Sequence, residues 1–169
     1  MTDVVADTGA EARADVLIAA ESPRQDAVIA LVAALDRYLL DLYPADTCHL
    51  LDIGELEAPD LRFLVARRDG VPAGCAALRV DPTGYGEIKR MYVDPAARGQ
   101  RIGDRLLARL EELARAEGLN ALLLESGIHQ PEALALYRKA GFTDRGPYAC
   151  YEDNGVSVFM EKRLTETVR

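Results

Sequence analysis

From Glu87 to Asp104 the chain reads Glu-Ile-Lys-Arg-Met-Tyr-Val-Asp-Pro-Ala-Ala-Arg-Gly-Gln-Arg-Ile-Gly-Asp, and its residue types suit the capture of a phosphate-bearing ligand. The first half reads as a strand, Asp94-Pro95 as a turn, and Arg98-Gly99-Gln100-Arg101-Ile102-Gly103 as a loop opening a helix. A loop in that position presents backbone N–H groups that lack intrahelical partners, at the positive end of the helix dipole. Gly99 and Gly103 keep side chains away from the backbone, and Arg98 and Arg101 add charge to the same cup. Proton transfer has candidates elsewhere. Glu87 and Glu125 are carboxylates on predicted strands, and His49 and His129 are imidazoles, the side chains that ordinarily titrate near neutrality. A lone loop histidine such as His129 is more often surface than chemistry, and a strand carboxylate is as often ion-paired as catalytic. On an alternating strand Glu87, Lys89 and Met91 share one face while Ile88, Arg90 and Tyr92 share the other.

The elements that must position these residues follow from periodicity. Ala14 to Ala20 is short and apolar, a first strand. Ser22-Pro23 reads as an N-cap with proline at the first helical position. Val28, Leu31, Val32, Leu35 and Leu39 then recur at helical spacing until Pro44. Leu61 to Arg67 and Val71 to Val80 form two strands joined by the turn Arg68-Asp69-Gly70. Tyr85 to Val93 follows as a third strand after Asp81-Pro82-Thr83-Gly84, so the three make an antiparallel meander. Ile102, Leu106, Leu107, Leu110 and Ala114 stripe one face of a helix that Gly118 ends. Ala121 to Glu125 is the next strand, set parallel to its predecessor by the crossover. Gln130-Pro131 starts a helix running to Ala140, with Gly141 as its cap, and Val156 to Glu161 is a final strand. The expected fold class is α/β: a single mixed, mostly antiparallel sheet flanked by helices, in one domain over residues 14–169. Residues 1–13 read as a loose N-terminal tail.

The bulk numbers bound the function. A chain of 169 residues suits one domain, and 49% hydrophobic with 28% charged residues is an ordinary globular balance. A net charge of −8 argues against broad nucleic-acid binding. Lys89 to Arg115 nevertheless carries seven basic residues against four acids, a local +3 that suits an anionic ligand. Three cysteines without metal-type spacing imply idle thiols in a reducing compartment and no metal site. No apolar run reaches membrane-spanning length and no signal pattern opens the chain, so a soluble cytoplasmic protein is expected.

The order of meander, Arg/Gly loop, helix, strand and Ala-Leu-Ala-Leu-Tyr-Arg-Lys-Ala-Gly-Phe resembles the GNAT superfamily of acyl-CoA-dependent N-acyltransferases. Two separated motifs carry the resemblance: Arg98 to Gly103, and Gln130 through Ala133 to Tyr137 and Phe142. It extends over roughly residues 14–164. The family's loop pattern is Arg or Gln, two residues, Gly, one residue, Gly or Ala. Arg98 and Gly103 fit it, whereas Arg101 stands at the middle glycine. Its guanidinium either crowds the pyrophosphate or points outward and adds a salt contact, and the match between guanidinium and phosphate favours the second. Gln130 stands where members often carry Asn.

The resemblance implies acetyl-CoA as the acyl donor. Its pantetheine arm would run along Met91, Tyr92 and Val93, whose amides would polarise the thioester. Its pyrophosphate would lie on Arg98 to Asp104, with Gln130 and Ala133 also touching the cofactor. Tyr137 is implied as the general acid for the leaving thiolate, although periodicity alone reads it as a core tyrosine. Glu87 is the candidate general base, with Glu125 its rival, because a protonated amine must lose a proton before attack. Tyr38, Tyr43, Tyr148 and Tyr151 are candidates to line an acceptor pocket. The expected activity is N-acetylation of a primary amine on a small molecule or peptide by direct transfer in a ternary complex. A catalytically idle acyl-CoA sensor is the alternative. A homodimer is a family expectation. A doubly wound nucleotide-binding protein is a poorer fit, since the loop lacks the G-x-G-x-x-G glycines.

Overall fold

A computed structural model describes residues 15–164; the predicted tail at 1–13 lies outside them. Among the described residues the chain forms one mixed seven-stranded sheet and three α-helices. In chain order these are β1 (Val16–Ala20), α1 (Asp26–Leu42), β2 (Leu61–Arg68), β3 (Val71–Val80), β4 (Tyr85–Val93), α2 (Ile102–Ala116), β5 (Ala121–Gly127), α3 (Pro131–Lys139), β6 (Thr143–Arg145) and β7 (Ser157–Arg163). The sheet order is β1-β2-β3-β4-β5-β7-β6, antiparallel except between β4 and β5. That parallel pair is the crossover expected from the strand–helix–strand pattern around α2. No helix among the described residues is long and apolar enough to cross a membrane.

Each face of the sheet carries a core. On one, Ile102, Leu106 and Leu110 of α2 pack with Leu78, Ile88 and Leu124. On the other, Val28, Leu31 and Val32 of α1 pack with Phe63, Val65 and Cys75. Leu106 and Leu110 are wholly enclosed, so cutting either to alanine costs about 2–5 kcal/mol. The stripe read from sequence is therefore the one that anchors α2, and α2 in turn fixes where its N-terminal loop lies.

Three expectations change. Ser22-Pro23 does not cap α1: the helix starts at Asp26, and Ser22 Oγ instead accepts the Arg24 N–H at 3.1 Å. The helix start is set from outside, because the Gln25 side chain donates to Glu21 and Ser22 and accepts from Arg67 of β2. β6 is a three-residue polar strand with no apolar signal, recognisable only by its pairing with β7. The third change bears on the site. β4 does not alternate to its end, because Arg90 adopts a left-handed backbone (φ 54°) and the β3–β4 register slips between Cys75 and Ala77. This bulge places two residues, Arg90 and Met91, opposite one. Ile88, Met91 and Val93 consequently face the α2 core, while Tyr92 faces the α1 core. The expected grouping of Met91 with Glu87 and Lys89 is overturned by that one extra residue.

Candidate active site

The sheet opens at its centre. β4 and β5 pair from Tyr85↔Ala121 to Ile88↔Leu124, and their ladder stops there. Past Ile88 the β5-facing edge of β4 has no strand partner, so its backbone polar groups remain available to an extended ligand. Two cavities meet at this opening. The larger, about 430 Å³, lies between the end of β4, the start of α2 and α3. The smaller, about 120 Å³, lies between β4, β5, the end of α1 and the segment around His49. Leu35, Met91, Gln130 and Tyr137 line both.

The larger cleft gathers most of the residues expected at the cofactor. Met91, Tyr92 and Val93 form its strand wall, and Arg98, Gly99, Arg101, Ile102, Gly103 and Asp104 its loop wall. Gln130, Ala133 and Tyr137 come from the α3 side. Gln100 is exposed and is not among the lining residues. The first α2 hydrogen bond runs from Arg105 N–H to the Arg101 carbonyl at 3.1 Å, so the amides before it are free for an anion. Among the described residues Arg98 makes no ion pair, which leaves its guanidinium available to a phosphate.

Arg101 resolves the departure from the glycine pattern. Its backbone is left-handed (φ 59°) at the N-cap of α2, and its side chain is 72% exposed, 3.7 Å from Asp104. The position demands a conformation that glycine adopts freely and other residues adopt at a cost of about 1 kcal/mol. Gly103 has a different role: a Cβ there would lie 2.9 Å from Leu136, so its hydrogen lets α2 and α3 approach.

Tyr137 is 6% exposed, and its ring packs edge-on against Phe142 at 5.9 Å. Its hydroxyl makes no hydrogen bond among the described residues, yet none of their buried side-chain polar atoms lacks a partner. The hydroxyl therefore reaches the surface of the cavities that Tyr137 lines. Burial pushes this phenol well above its ordinary range, which keeps the proton on it.

The smaller cavity holds the polar groups. Glu125 accepts from Ser157 Oγ at 2.6 Å and contacts His49 Nδ1 at 2.9 and 3.0 Å. The His49 ring meets the Tyr151 ring edge-on at 4.9 Å. Tyr43 closes the other side: its hydroxyl accepts the His129 backbone N–H at 3.1 Å and donates to Gln130 at 3.2 Å. Burial raises the Tyr43 phenol, so it remains a donor. Cys48 also lines this cavity, donating weakly to the Pro44 carbonyl at 3.6 Å. Burial, reinforced by Glu125, lifts its thiol above the ordinary value. Arg90 is anchored here by the Leu51 carbonyl at 2.9 Å and by Asp36, tying β4 to α1.

Glu87 lines neither cavity. It is 5% exposed and accepts from Tyr148 at 3.0 Å and from Tyr151, with Lys89 Nζ 3.5 Å away. Lys89 in turn donates to Tyr151 at 2.7 Å and does line the smaller cavity. Of the tyrosines expected around an acceptor, Tyr43 lines that cavity, Tyr38 lines the larger one, and Tyr148 and Tyr151 hold Glu87. The contacts among His49, Glu125 and Ser157, separated by 76 and 32 residues, leave no local signal in the sequence. Among the described residues no cluster of histidine, cysteine and carboxylate could hold a metal.

The chain is similar to known proteins in sequence and in fold. The model of the acetyltransferase (GNAT) family matches residues 28–142. Over 151 residues the chain is 59% identical to the IAA acetyltransferase of Azospirillum brasilense, covering 89% of this chain and 99% of that one. A Klebsiella pneumoniae structure assigned to the acyl-CoA N-acyltransferases matches with a TM-score of 0.77 at 38% identity, over 89% of this chain and 98% of the other. The fold also matches the PaiA N-acetyltransferase of Thermoplasma acidophilum, solved with coenzyme A, at a TM-score of 0.68 and 19% identity, over 89% and 99% of the two chains. With free amides, an unpaired arginine and an open strand edge in a single cleft, and with most of its length inside the family's pattern, this chain belongs to the acetyltransferase (GNAT) family and is an acyltransferase whose donor is acetyl-CoA.

Proposed function

We propose that the protein transfers the acetyl group of acetyl-CoA directly to a primary amine of a small molecule or peptide in a ternary complex. The observation that carries this reading is the pair of cavities joined at the β4–β5 opening, with Tyr137 lining both. A donor in the larger and an acceptor in the smaller would meet beside the Tyr137 hydroxyl.

In this reading the α2 amides and Arg98 hold the pyrophosphate, and the open edge of β4 from Met91 to Val93 aligns the pantetheine arm. Bound acetyl-CoA supplies an activated acyl carbon and a thiolate leaving group. Backbone N–H groups at the bulge stabilise negative charge developing on the thioester oxygen, a contribution of about 3–4 kcal/mol per donor in comparable sites. Tyr137 gives its proton to the departing sulfur, and its burial keeps that proton available. Glu87 does not meet the acceptor; it holds Tyr151 and Lys89 in the wall behind it. Direct transfer is favoured over a covalent route because the one thiol in the acceptor cavity, Cys48, has its protonated form stabilised.

The test is a panel of amines, amino acids and short peptides, together with IAA, for which the Azospirillum relative is named, assayed by release of CoA thiol. Acetyl-CoA at about a hundred times its Kd should raise stability by roughly 2.7 kcal/mol. Intersecting initial-rate lines and full activity in Cys48→Ala are expected for a ternary complex. Stabilisation without thiol release on any acceptor would favour the idle sensor instead.

A further inference from the structure

Resting on the transferase reading above, we infer that His49 is the general base that takes the proton from the acceptor amine, with Glu125 as its positioning residue. Three observations lead there. First, the carboxylates are spoken for. Both Glu125 oxygens are engaged, one by Ser157 and His49 and the other by His49, and its side chain is 12% exposed. Glu87 is enclosed by Tyr148, Tyr151 and Lys89 and reaches neither cavity. Second, His49 lines the acceptor cavity that Tyr137 also lines, and its side chain is 42% exposed, so an incoming amine has access to it. Third, its ring is held on two sides. Nδ1 contacts Glu125 at 2.9 Å, and the T-shaped contact with the Tyr151 ring restrains the ring plane. With Nδ1–H donating to the carboxylate, the neutral ring carries its lone pair on Nε2, which has no partner among the described residues.

The proton balance closes with the groups in place. The acceptor arrives as an ammonium, and Nε2 takes one proton, which passes to water. The freed nitrogen lone pair forms the C–N bond as the C–S bond breaks. Tyr137 protonates the departing sulfur, and the second proton lost by the nitrogen replaces the one Tyr137 gave. The Glu125 carboxylate, fixed by Ser157 Oγ, lies against the ring and stabilises the transient imidazolium. The neighbouring polar groups of the wall are engaged elsewhere: Lys89 donates to Tyr151, Arg90 pairs with Asp36, and Tyr43 donates to Gln130.

The test uses His49→Gln, which keeps a hydrogen-bonding group beside Glu125, and His49→Ala, which opens space for a small base. Both should retain the acetyl-CoA-induced rise in melting temperature, because His49 lies outside the larger cleft. At saturating acetyl-CoA and amine, kcat should fall about 100-fold or more in each. Free imidazole at millimolar concentration should restore acetylated product in His49→Ala while leaving His49→Gln unchanged. Glu125→Gln should lower kcat by less than His49→Gln. A kcat within a few-fold of the unaltered protein in His49→Gln overturns the assignment. So does a loss confined to KM, or one in His49→Ala that imidazole does not relieve, since either makes His49 a binding residue. Failure of the unaltered protein to acetylate any amine would instead sink the transferase reading itself.

Discussion

Gly127, the last residue of β5, lines the acceptor cavity, and the position of the neighbouring Tyr43 wall depends on it. A Cβ built there would lie 2.0 Å from Tyr43 Oη and 2.3 Å from its Cζ, far inside contact distance. In Gly127→Ala the buried Tyr43 ring must therefore move away. It would give up the bonds to the His129 N–H and the Gln130 side chain and its stack on His129, now at 5.6 Å and 27°. Two hydrogen bonds at about 1 kcal/mol each and an aromatic pair at about 0.5–1.5 kcal/mol set the loss at roughly 2–4 kcal/mol. In a chain of this size each kcal/mol moves Tm by about 2–4 °C, so a drop on the order of 10 °C is expected. The assay is a double-mutant cycle by urea unfolding. In a Tyr43→Ala background the three atoms nearest the new methyl are gone, and Gly127→Ala should then cost under about 0.5 kcal/mol. In the single variant the acceptor KM should rise while acetyl-CoA binding persists, because Tyr43 lines the smaller cavity alone. Additive costs in the cycle, or a Gly127→Ala protein as stable as the parent, would refute the reasoning.

Tyr137→Phe should lower kcat by about 100-fold or more, with little change in either KM. It should leave stability within about 0.5 kcal/mol of the parent, because the hydroxyl makes no hydrogen bond to lose. Alkaline stability supplies the remaining prediction. Tyr137, Tyr148 and Tyr151 are all held protonated above their ordinary range, each first by burial and the latter two also by Glu87. In the unfolded chain these phenols ionise near pH 10, so above that pH the folded state binds more protons than the unfolded state, and stability must fall as pH rises. Urea midpoints measured between about pH 8 and 11 should decline; a flat profile would show that the phenols ionise freely in the fold.

Much of this protein was legible in its residues. The stripe from Ile102 to Ala114 has a helical period, and period alone dictates which face α2 buries. The turn at Asp69-Gly70, the crossover around α2 and the parallel β4–β5 pair follow from local patterning and chain handedness. The cup from Arg98 to Asp104 was readable because free amides at a helix start need only neighbouring residues. What tertiary structure decided is how those parts face one another. No residue type announces the left-handed Arg90, which is held there by Asp36 and the Leu51 carbonyl, and that single bulge reverses which side chains of β4 look into the core. For the same reason alternation could set Glu87 on a face but could not tell that Tyr148 and Tyr151, more than sixty residues on, would enclose it. Nor could it tell that Glu125, Ser157 and His49, from three distant segments, would converge instead. Hydrophobic period is a property of adjacent residues and so is written in the sequence. A proton-transfer constellation is set by long-range packing to within an ångström, and only the folded chain fixes that.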